Sequence, residues 1–522
     1  MATATKIYRN FYRDSVILMR ISSTLGKWEG VRQFSAVMAS DNNLALLQSA
    51  GLLTAQVVAG PNDLLVVAEG DSEAAVKAVL AQTEVALNEV TISSRGKSEK
   101  RPPRSLAMAL EEQPRSKLAL ISTPGVYAAS EALKALKSDL NVMIFSNNVS
   151  LEDELRLKRL AQERELLVMG PDCGTAIVGG VPLAFANVVK HGPIGVVGAS
   201  GSGIQQVTCL VDAMDCGISH ALGTGARDLS REVGGLTMVR GIRALAEDPE
   251  TKVIVLISKP PATEVAKTIL AAASTTSKPV VVTFLGTDPI SMTAPGVIAV
   301  RTLEEAASTA VTIAKGGMDY PPLMAEPDLP VSALSRLAPG QRYVRGLFSG
   351  GTLCYEAAML LADSLEGLST NTPLRPEMTI ADPWRSTGHT LLDMGAEVFT
   401  RGRPHPMIDL RLRCERLEHD AVDPETAVLL LDIILGFGSH PDPASELVSA
   451  INRAREQAAA KGLAPLFMGF VCGTAGDPQN FKRQCAALED AGVLLAASNA
   501  QAARLVARIA AAIPTAKCPP TC

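Results

Sequence analysis

Asp248-Pro-Glu-Thr251, followed by the apolar run Val253 to Ile257, is repeated far downstream as Asp423-Pro-Glu-Thr426, followed by Val428 to Leu431. Upstream of each copy lies a helix-like segment and, before that, a turn of small residues: Gly198-Ala-Ser-Gly-Ser-Gly203 in the first and Ser349-Gly-Gly-Thr352 in the second. A repeat of this length signals a duplicated module. Its glycines fall where a strand should meet a helix, so both copies place main-chain N–H groups at helix N-termini, which suit anions.

Short apolar runs alternate with helical patterns around the first copy. Ile194–Val197 is followed by the turn, a helix over Ile204–Ala213, a strand at His220–Leu222, the turn Gly223-Thr-Gly225, a helix over Leu236–Ala246, and strands at Val253–Ile257 and Val280–Phe284. Such alternation predicts a parallel sheet with crossover helices, a flavodoxin-like domain. The second copy starts at Arg345, makes an excursion through Thr370 to Ser386 and ends near Ala510. An upstream set (Leu118–Ser122, Ala128–Leu136, Val142–Phe145, Leu151–Glu163, Leu166–Met169) reads as a further βαβαβ unit. Nearer the start, Val16–Ile21 reads as a strand, Gly30–Met38 and Asn42–Gly51 as helical or mixed, Asp63–Ala68 as a strand and Ser72–Leu87 as a helix, a small α+β domain of the ferredoxin or ACT type.

The resulting division is 1–92, a small α+β domain; 93–116, a charged linker; 117–192, a Rossmann-like domain; 193–315, the first flavodoxin-like domain; 316–341, a proline-bearing linker; 342–512, the second flavodoxin-like domain; and 513–522, a tail.

The net charge of −5 and the lack of a basic stripe with interleaved aromatics argue against nucleic acid as a partner. Cysteines without a CxxC pair argue against a disulfide framework and a zinc site. The start, Met1-Ala-Thr-Ala-Thr-Lys6, carries no apolar signal core, and the most hydrophobic stretch, Val428–Leu435, is interrupted by Asp432. These features predict a cytoplasmic protein without a membrane span. No metal-ligand motif or Walker lysine is present, so no metal is assigned; no cofactor is fixed either, and CoA and magnesium are compatible with the chain.

Candidate anion contacts are Ser200, Gly201, Ser202 and Gly203 in the first turn and Ser349, Gly350 and Gly351 in the second. Lys259 and His440 follow strands in the two copies and would face the same crevices. Thr400-Arg-Gly-Arg-Pro-His-Pro-Met-Ile-Asp409 supplies two guanidinium forks, Arg401 and Arg403, and a titratable ring, His405, between prolines. Arg403 and His405 are the candidates for catalysis; a subunit contact is the plainer reading of this loop. In the 117–192 domain, Thr123, Gly125, Asn147, Asn148 and Pro171 sit in loops after strands and are the candidate cofactor contacts.

Gly170-Pro-Asp, Gly195-Val-Val-Gly-Ala-Ser-Gly, Gly223-Thr-Gly, Asp228 and Asp248-Pro-Glu-Thr resemble the CoA-binding and CoA-ligase domains of succinyl-CoA synthetase, which implies a CoA-binding Rossmann-like domain over 117–192 and two ligase-type flavodoxin-like domains over 193–315 and 342–512. Over nearly the whole chain the sequence resembles the FdrA family, in Val37-Met-Ala-Ser-Asp-Asn-Asn, Ile144-Phe-Ser-Asn-Asn-Val-Ser, Met169-Gly-Pro-Asp-Cys-Gly-Thr, Thr400–Asp409 and Leu435-Gly-Phe-Gly-Ser-His. That resemblance implies a multi-subunit carbamoyltransferase of purine (allantoin) nitrogen catabolism. Two further protein subunits and small anions (carbamoyl phosphate, oxamate or oxalurate, phosphate) would be its partners. The phosphate-relaying histidine of succinyl-CoA synthetase has no counterpart, because no histidine occurs between His220 and His389. An NDP-forming acyl-CoA synthetase and a non-catalytic scaffold subunit are the rival readings.

Overall fold

A computed structural model describes residues 2–13, 15–53, 57–93, 103–317, 326–401 and 403–513. Parts of the two expected linkers, most of the tail and Gly402 therefore lie outside the described residues. The chain forms two compact units, 1–172 with 397–409, and 173–396 with 410–522.

The first unit opens with β1 (Ala2–Tyr8), α1 (Ser15–Leu25), β2 (Val31–Met38), α2 (Asp41–Ser49), β3 (Leu64–Gly70) and α3 (Glu73–Ser93). Its sheet is antiparallel, in the order β1-β3-β2. Two sequence expectations fail here. The apolar run from Val16 belongs to a helix, because Leu18, Ile21 and Leu25 recur at helical spacing and share one buried face. The segment up to Met38 is a strand, with Phe34, Ala36 and Met38 entering one core and Val37 the core on the opposite side of the sheet. A helix, α4 (Leu106–Glu112), capped by Ser105 Oγ on the Met108 N–H, lies within the segment read as a linker.

A parallel sheet in the order β4-β5-β6 follows, built from β4 (Leu118–Ile121), α5 (Gly125–Lys137), β5 (Asn141–Ile144), α6 (Leu151–Glu163) and β6 (Val168–Met169). The bounds of α6 follow from Ser150 Oγ accepting the Asp153 N–H and from Glu152, Asp153 and Glu154 in its positively polarised first turn.

The second unit holds two further sheets. The first comprises the hairpin β7 (Thr175–Val178) and β8 (Val181–Ala184), then β9 (His191–Gly198), α7 (Gly201–Ala213), β10 (Ile218–Gly223), α8 (Leu236–Glu247), β11 (Val253–Ser258), α9 (Thr263–Ser274), β12 (Val280–Phe284), β13 (Val297–Ala299) and α10 (Leu303–Ala314). Its order is β13-β12-β11-β9-β10-β7-β8, parallel except for the hairpin. After the short helix α11 (Val331–Leu334) come β14 (Tyr343–Phe348), α12 (Gly351–Leu361), β15 (Ser369–Thr370), β16 (Thr390–Asp393), α13 (Glu397–Thr400, in the first unit), α14 (Arg411–Ala421), β17 (Thr426–Ile434), α15 (Pro443–Ala460), β18 (Leu466–Cys472), α16 (Phe481–Asp490), β19 (Leu494–Ala496) and α17 (Asn499–Ala512). The order β15-β16-β14-β17-β18-β19 is parallel throughout.

Strand for strand, β13-β12-β11-β9-β10 and β19-β18-β17-β14-β16 are the same 5-4-3-1-2 winding, the flavodoxin-like order. The duplication seen in the sequence is thus a duplication of topology. β17 is buried along its whole length, as a central strand covered on both faces must be. Among the described residues no helix is long and apolar enough to cross a membrane.

Candidate functional site

In an open α/β sheet of this winding, ligands bind beyond the carboxyl ends of the strands where the order reverses, beside the first strand of each copy. Those places are the turns β9–α7 and β14–α12, and the second unit brings the two helix N-termini together. Ser200, the N-cap of α7, accepts the Gly203 N–H at 2.9 Å and donates to Thr352 Oγ1 in the first turn of α12 at 2.7 Å. A Cβ on Gly350 would stand 2.9 Å from the Ser202 Cβ, so glycine is needed for this approach.

Two positively polarised helix ends in contact repel one another unless negative charge is supplied. At α12 the protein supplies it. Buried Asp432, at the end of β17, accepts the Ser349 N–H at 2.8 Å, the Gly350 N–H at 2.8 Å and the Ser349 hydroxyl at 2.9 Å. Arg413 of α14, itself buried, pairs with Asp432 at 2.8 Å and also donates to the Leu347 carbonyl. The expectation that Ser349 and Gly350 offer their amides to an external anion is therefore corrected: an internal carboxylate already occupies them.

The repeat makes the asymmetry plain. The sixth residue after each Asp-Pro-Glu-Thr is Ile257 in the first copy and Asp432 in the second. Isoleucine cannot accept a hydrogen bond. The N–H groups of Gly201 and Ser202, the first two of α7, have no intrahelical acceptor, and among the described residues no side chain takes them.

Next to α12, whose first turn is joined to that of α7, stand residues from both copies. Lys259, after β11, reaches Thr372 Oγ1 at 3.3 Å and the ring of Tyr355 on α12 at 5.6 Å. Asp393, at the end of β16, lies so close to Gly351 that a Cβ there would meet Asp393 Oδ2 at 2.5 Å. Gly395 N–H donates to Asp393 Oδ1 at 3.0 Å, and Asn371 clamps the Asp393 backbone with two bonds of 2.8 Å. Burial pushes the Asp393 carboxyl up to about 6, against the pull of the Lys259 cation.

The other sequence-derived candidates are distributed differently. His440 lies beyond the end of β17, where its Nδ1 accepts the Asp442 N–H at 3.1 Å ahead of α15. Arg401, Arg403 and His405 fall in the first unit, not in the unit that holds the paired turns. Arg401 forms an exposed ion pair with Glu397 at 3.3 Å, and His405 Nδ1 accepts the Met407 N–H at 3.2 Å, which stiffens its own turn.

Thr123, Gly125, Asn147, Asn148 and Pro171 are also in the first unit, in three loops stitched to one another: Ser146 Oγ donates to the Thr123 carbonyl, and Asp172 N–H donates to the Ser146 carbonyl at 3.0 Å. A Cβ on Gly125 would lie 2.3 Å from the Asn147 carbonyl oxygen and 2.7 Å from that of Asn148.

Sequence reasoning missed Asp393, Asp432, Arg413 and Thr352. Only the offset between Ile257 and Asp432 within the repeat could have signalled one of them.

The chain is 43% identical over 503 residues to the uncharacterized protein YahF of Escherichia coli K12, covering 96% of this chain and 97% of that one. Residues 1–103 match an AllF heavy metal-associated domain, 189–286 a CoA-binding domain and 347–509 a CoA-ligase domain. The chain belongs to the FdrA family. This FdrA protein is succinyl-CoA-synthetase-like: it is 27% identical over 146 residues to the alpha subunit of the ADP-forming succinate–CoA ligase of Staphylococcus aureus, 27% of this chain and 47% of that subunit. Acetyl-coenzyme A synthetase 1 of Ca. Korarchaeum cryptofilum aligns at 16% identity with a TM-score of 0.30, covering 76% of this chain and 84% of that one.

The CoA-binding match falls on the β9–β12 region and not on 117–192, where the sequence reading placed that domain. Residues 1–103 of this FdrA protein contain neither cysteine nor histidine. Among the described residues no group of three or more His, Cys, Asp or Glu is placed to hold a metal. The domain therefore lacks the thiolate and imidazole ligands through which proteins commonly hold heavy metals.

Proposed function

We propose that this FdrA protein is a subunit of a heteromeric carbamoyltransferase of the oxamate or oxalurate type. Working in the cytoplasm with two further protein subunits, it phosphorolyses an N-carbamoyl amide to carbamoyl phosphate in purine (allantoin) nitrogen catabolism. The observation that carries the reading is the asymmetry of the paired turns. One helix end is neutralised internally by Asp432, and the other leaves the Gly201 and Ser202 amides for an anion brought in from outside, with Lys259 reaching Thr372 and the Tyr355 ring of α12, the helix paired with α7.

Phosphate and carbamoyl phosphate are guests of the right charge. Fixed N–H dipoles and an ammonium in a partly buried site stabilise the negative charge that develops on the carbamoyl oxygen and the phosphate during transfer. Arg401, Arg403 and His405 belong to the other unit.

The lack of any histidine between His220 and His389, where the relay histidine of succinyl-CoA synthetase would fall, favours transfer without a phosphohistidine. Of the five histidines in the second unit, His191 begins β9, His220 lies 3.8 Å from Asp248 ahead of β11, His389 immediately precedes β16 and His419 lies in the last turn of α14 ahead of β17, while His440 stands beyond the end of β17 with its Nδ1 accepting the Asp442 N–H. The rival reading, an NDP-forming acyl-CoA ligase, is favoured by the CoA-binding and CoA-ligase matches. The same Gly201 and Ser202 amides and Lys259 would hold a CoA pyrophosphate, and bound CoA would supply a thiol as acyl acceptor.

Co-purification from the native host, followed by assay of the complex with carbamoyl phosphate and oxamate, with and without CoA, tests the proposal. Carbamoyl transfer independent of CoA is expected. Formation of acyl-CoA and ADP by the purified complex refutes it in favour of the ligase.

A further inference from the structure

We propose that Asp393 is the proton-carrying catalytic residue of the paired-turn site, taking a proton from the attacking phosphate and passing it to the departing amide nitrogen. This rests on the carbamoyltransferase reading and adds to it a residue from the second copy acting at the turn of the first.

Three observations place the residue. Its carboxylate lies against Gly351, the first residue of α12, whose neighbour Thr352 is hydrogen-bonded to the N-cap of α7. Its backbone is locked on both sides by Asn371, and its Oδ1 by Gly395 N–H, so the carboxylate is pre-positioned. The neighbouring Lys259 is partly buried with no carboxylate at ion-pair distance among the described residues, its contacts being Thr372 and the Tyr355 ring. An ammonium in that setting is short of an anion.

The groups facing Asp393 set its protonation. Lys259 favours the charged form; Asp432 opposes it, though Asp432 is itself paired with Arg413; and Cys354 on α12 is a thiol that burial pushes far up, so it stays neutral. Burial outweighs Lys259, and the carboxyl titrates at about 6. It exchanges protons readily near neutral pH, as a group that must both accept and donate should.

The chemistry balances. A phosphate oxygen forms a bond to the carbamoyl carbon, and the bond from that carbon to the amide nitrogen breaks with its electron pair going to nitrogen. The hydroxyl proton of the attacking phosphate moves to Asp393 and from there to the nitrogen. The products are carbamoyl phosphate and the free amide, with Asp393 unchanged and no oxidant or reductant consumed.

Two measurements on the full chain and its complex test the assignment. Sulfate does not titrate between pH 5 and 8, so calorimetric sulfate binding over that range reports the charge beside the site. Wild-type affinity should fall about fivefold as pH rises and Asp393 ionises. In Asp393→Asn it should be flat at the wild-type low-pH value, and in Asp393→Glu the pH dependence should persist. In the reconstituted complex, Asp393→Asn should lower kcat about 100-fold with little change in KM and lose the acidic limb of the pH profile.

Unchanged turnover and pH profile in Asp393→Asn, or sulfate binding as pH-dependent as in wild type, overturns the assignment. A wild-type complex that fails to transfer carbamoyl, while its sulfate binding still titrates through Asp393, refutes the carbamoyl reading and the catalytic role together and leaves Asp393 as the titrating group of an anion site.

Discussion

Asp432→Asn tests whether the second turn is closed by the protein's own carboxylate. Asp432 accepts bonds of 2.8–3.0 Å from Ser349 N–H, Gly350 N–H and the Ser349 hydroxyl, and pairs with Arg413 at 2.8 Å. Asparagine keeps one acceptor oxygen and turns an NH2 group toward donors. Arg413 loses its counter-ion at 2% exposure, where water cannot replace it. Removing one partner of such a pair costs about 3–5 kcal/mol, because the surviving charge stays buried. A domain of 150–250 residues loses roughly 2–4 °C per kcal/mol, and the second unit is larger. The lower end of that range applies, a fall of about 6–10 °C in the melting transition.

Differential scanning calorimetry reads this directly. Arg413→Met in the Asp432→Asn background should add much less than Arg413→Met alone, since the charge it strands has already lost its partner. A melting temperature for Asp432→Asn within about 2 °C of wild type would mean that the carboxylate does not hold the turn, and the asymmetry between the copies would go with it.

Other outcomes follow from the same contacts. Ser200→Ala removes the cap of α7 and a partner of Thr352, and should cost about 1–2 kcal/mol in urea unfolding while weakening sulfate binding. Lys259→Gln should weaken sulfate binding about tenfold and reduce its salt dependence, without a comparable loss of stability. Gly223→Ala places a Cβ 2.5 Å from Cys173 Sγ and from the Thr175 carbonyl oxygen, and should destabilise by about 1–3 kcal/mol. Burial pushes Glu356 from 4.5 up to about 7, so its contribution is full below pH 4.5 and is lost as pH rises toward 7, on the order of 3 kcal/mol. His389, pushed down to about 4 by burial, works the other way, its contribution being lost as pH falls below 6.5. The test is therefore the difference between wild type and Glu356→Gln from pH 4.5 to 8, which should shrink toward low pH; a constant difference refutes it.

Much was legible in the sequence because it is local. Glycine at a strand–helix junction, serine at a cap and an apolar run flanked by helical periodicity each constrain their own few residues, and the repeat of Asp-Pro-Glu-Thr marks the duplication in the sequence itself. Where two local signals conflicted, the reading failed. Val16–Ile21 starts with two β-branched residues and is apolar apart from Arg20, yet a helical face of Leu18, Ile21 and Leu25 against the sheet decides the outcome.

What the sequence by itself determined was the alternating α/β pattern, its duplication, the family resemblance and the glycine turns as anion-suited helix ends. What only the tertiary structure decided was which turn remains open. Asp432, Arg413 and Asp393 reach their places from three separate segments of the second copy, and Lys259 arrives from the first. A carboxylate cancels a helix end only at hydrogen-bond range, and spacing along the chain does not encode that distance.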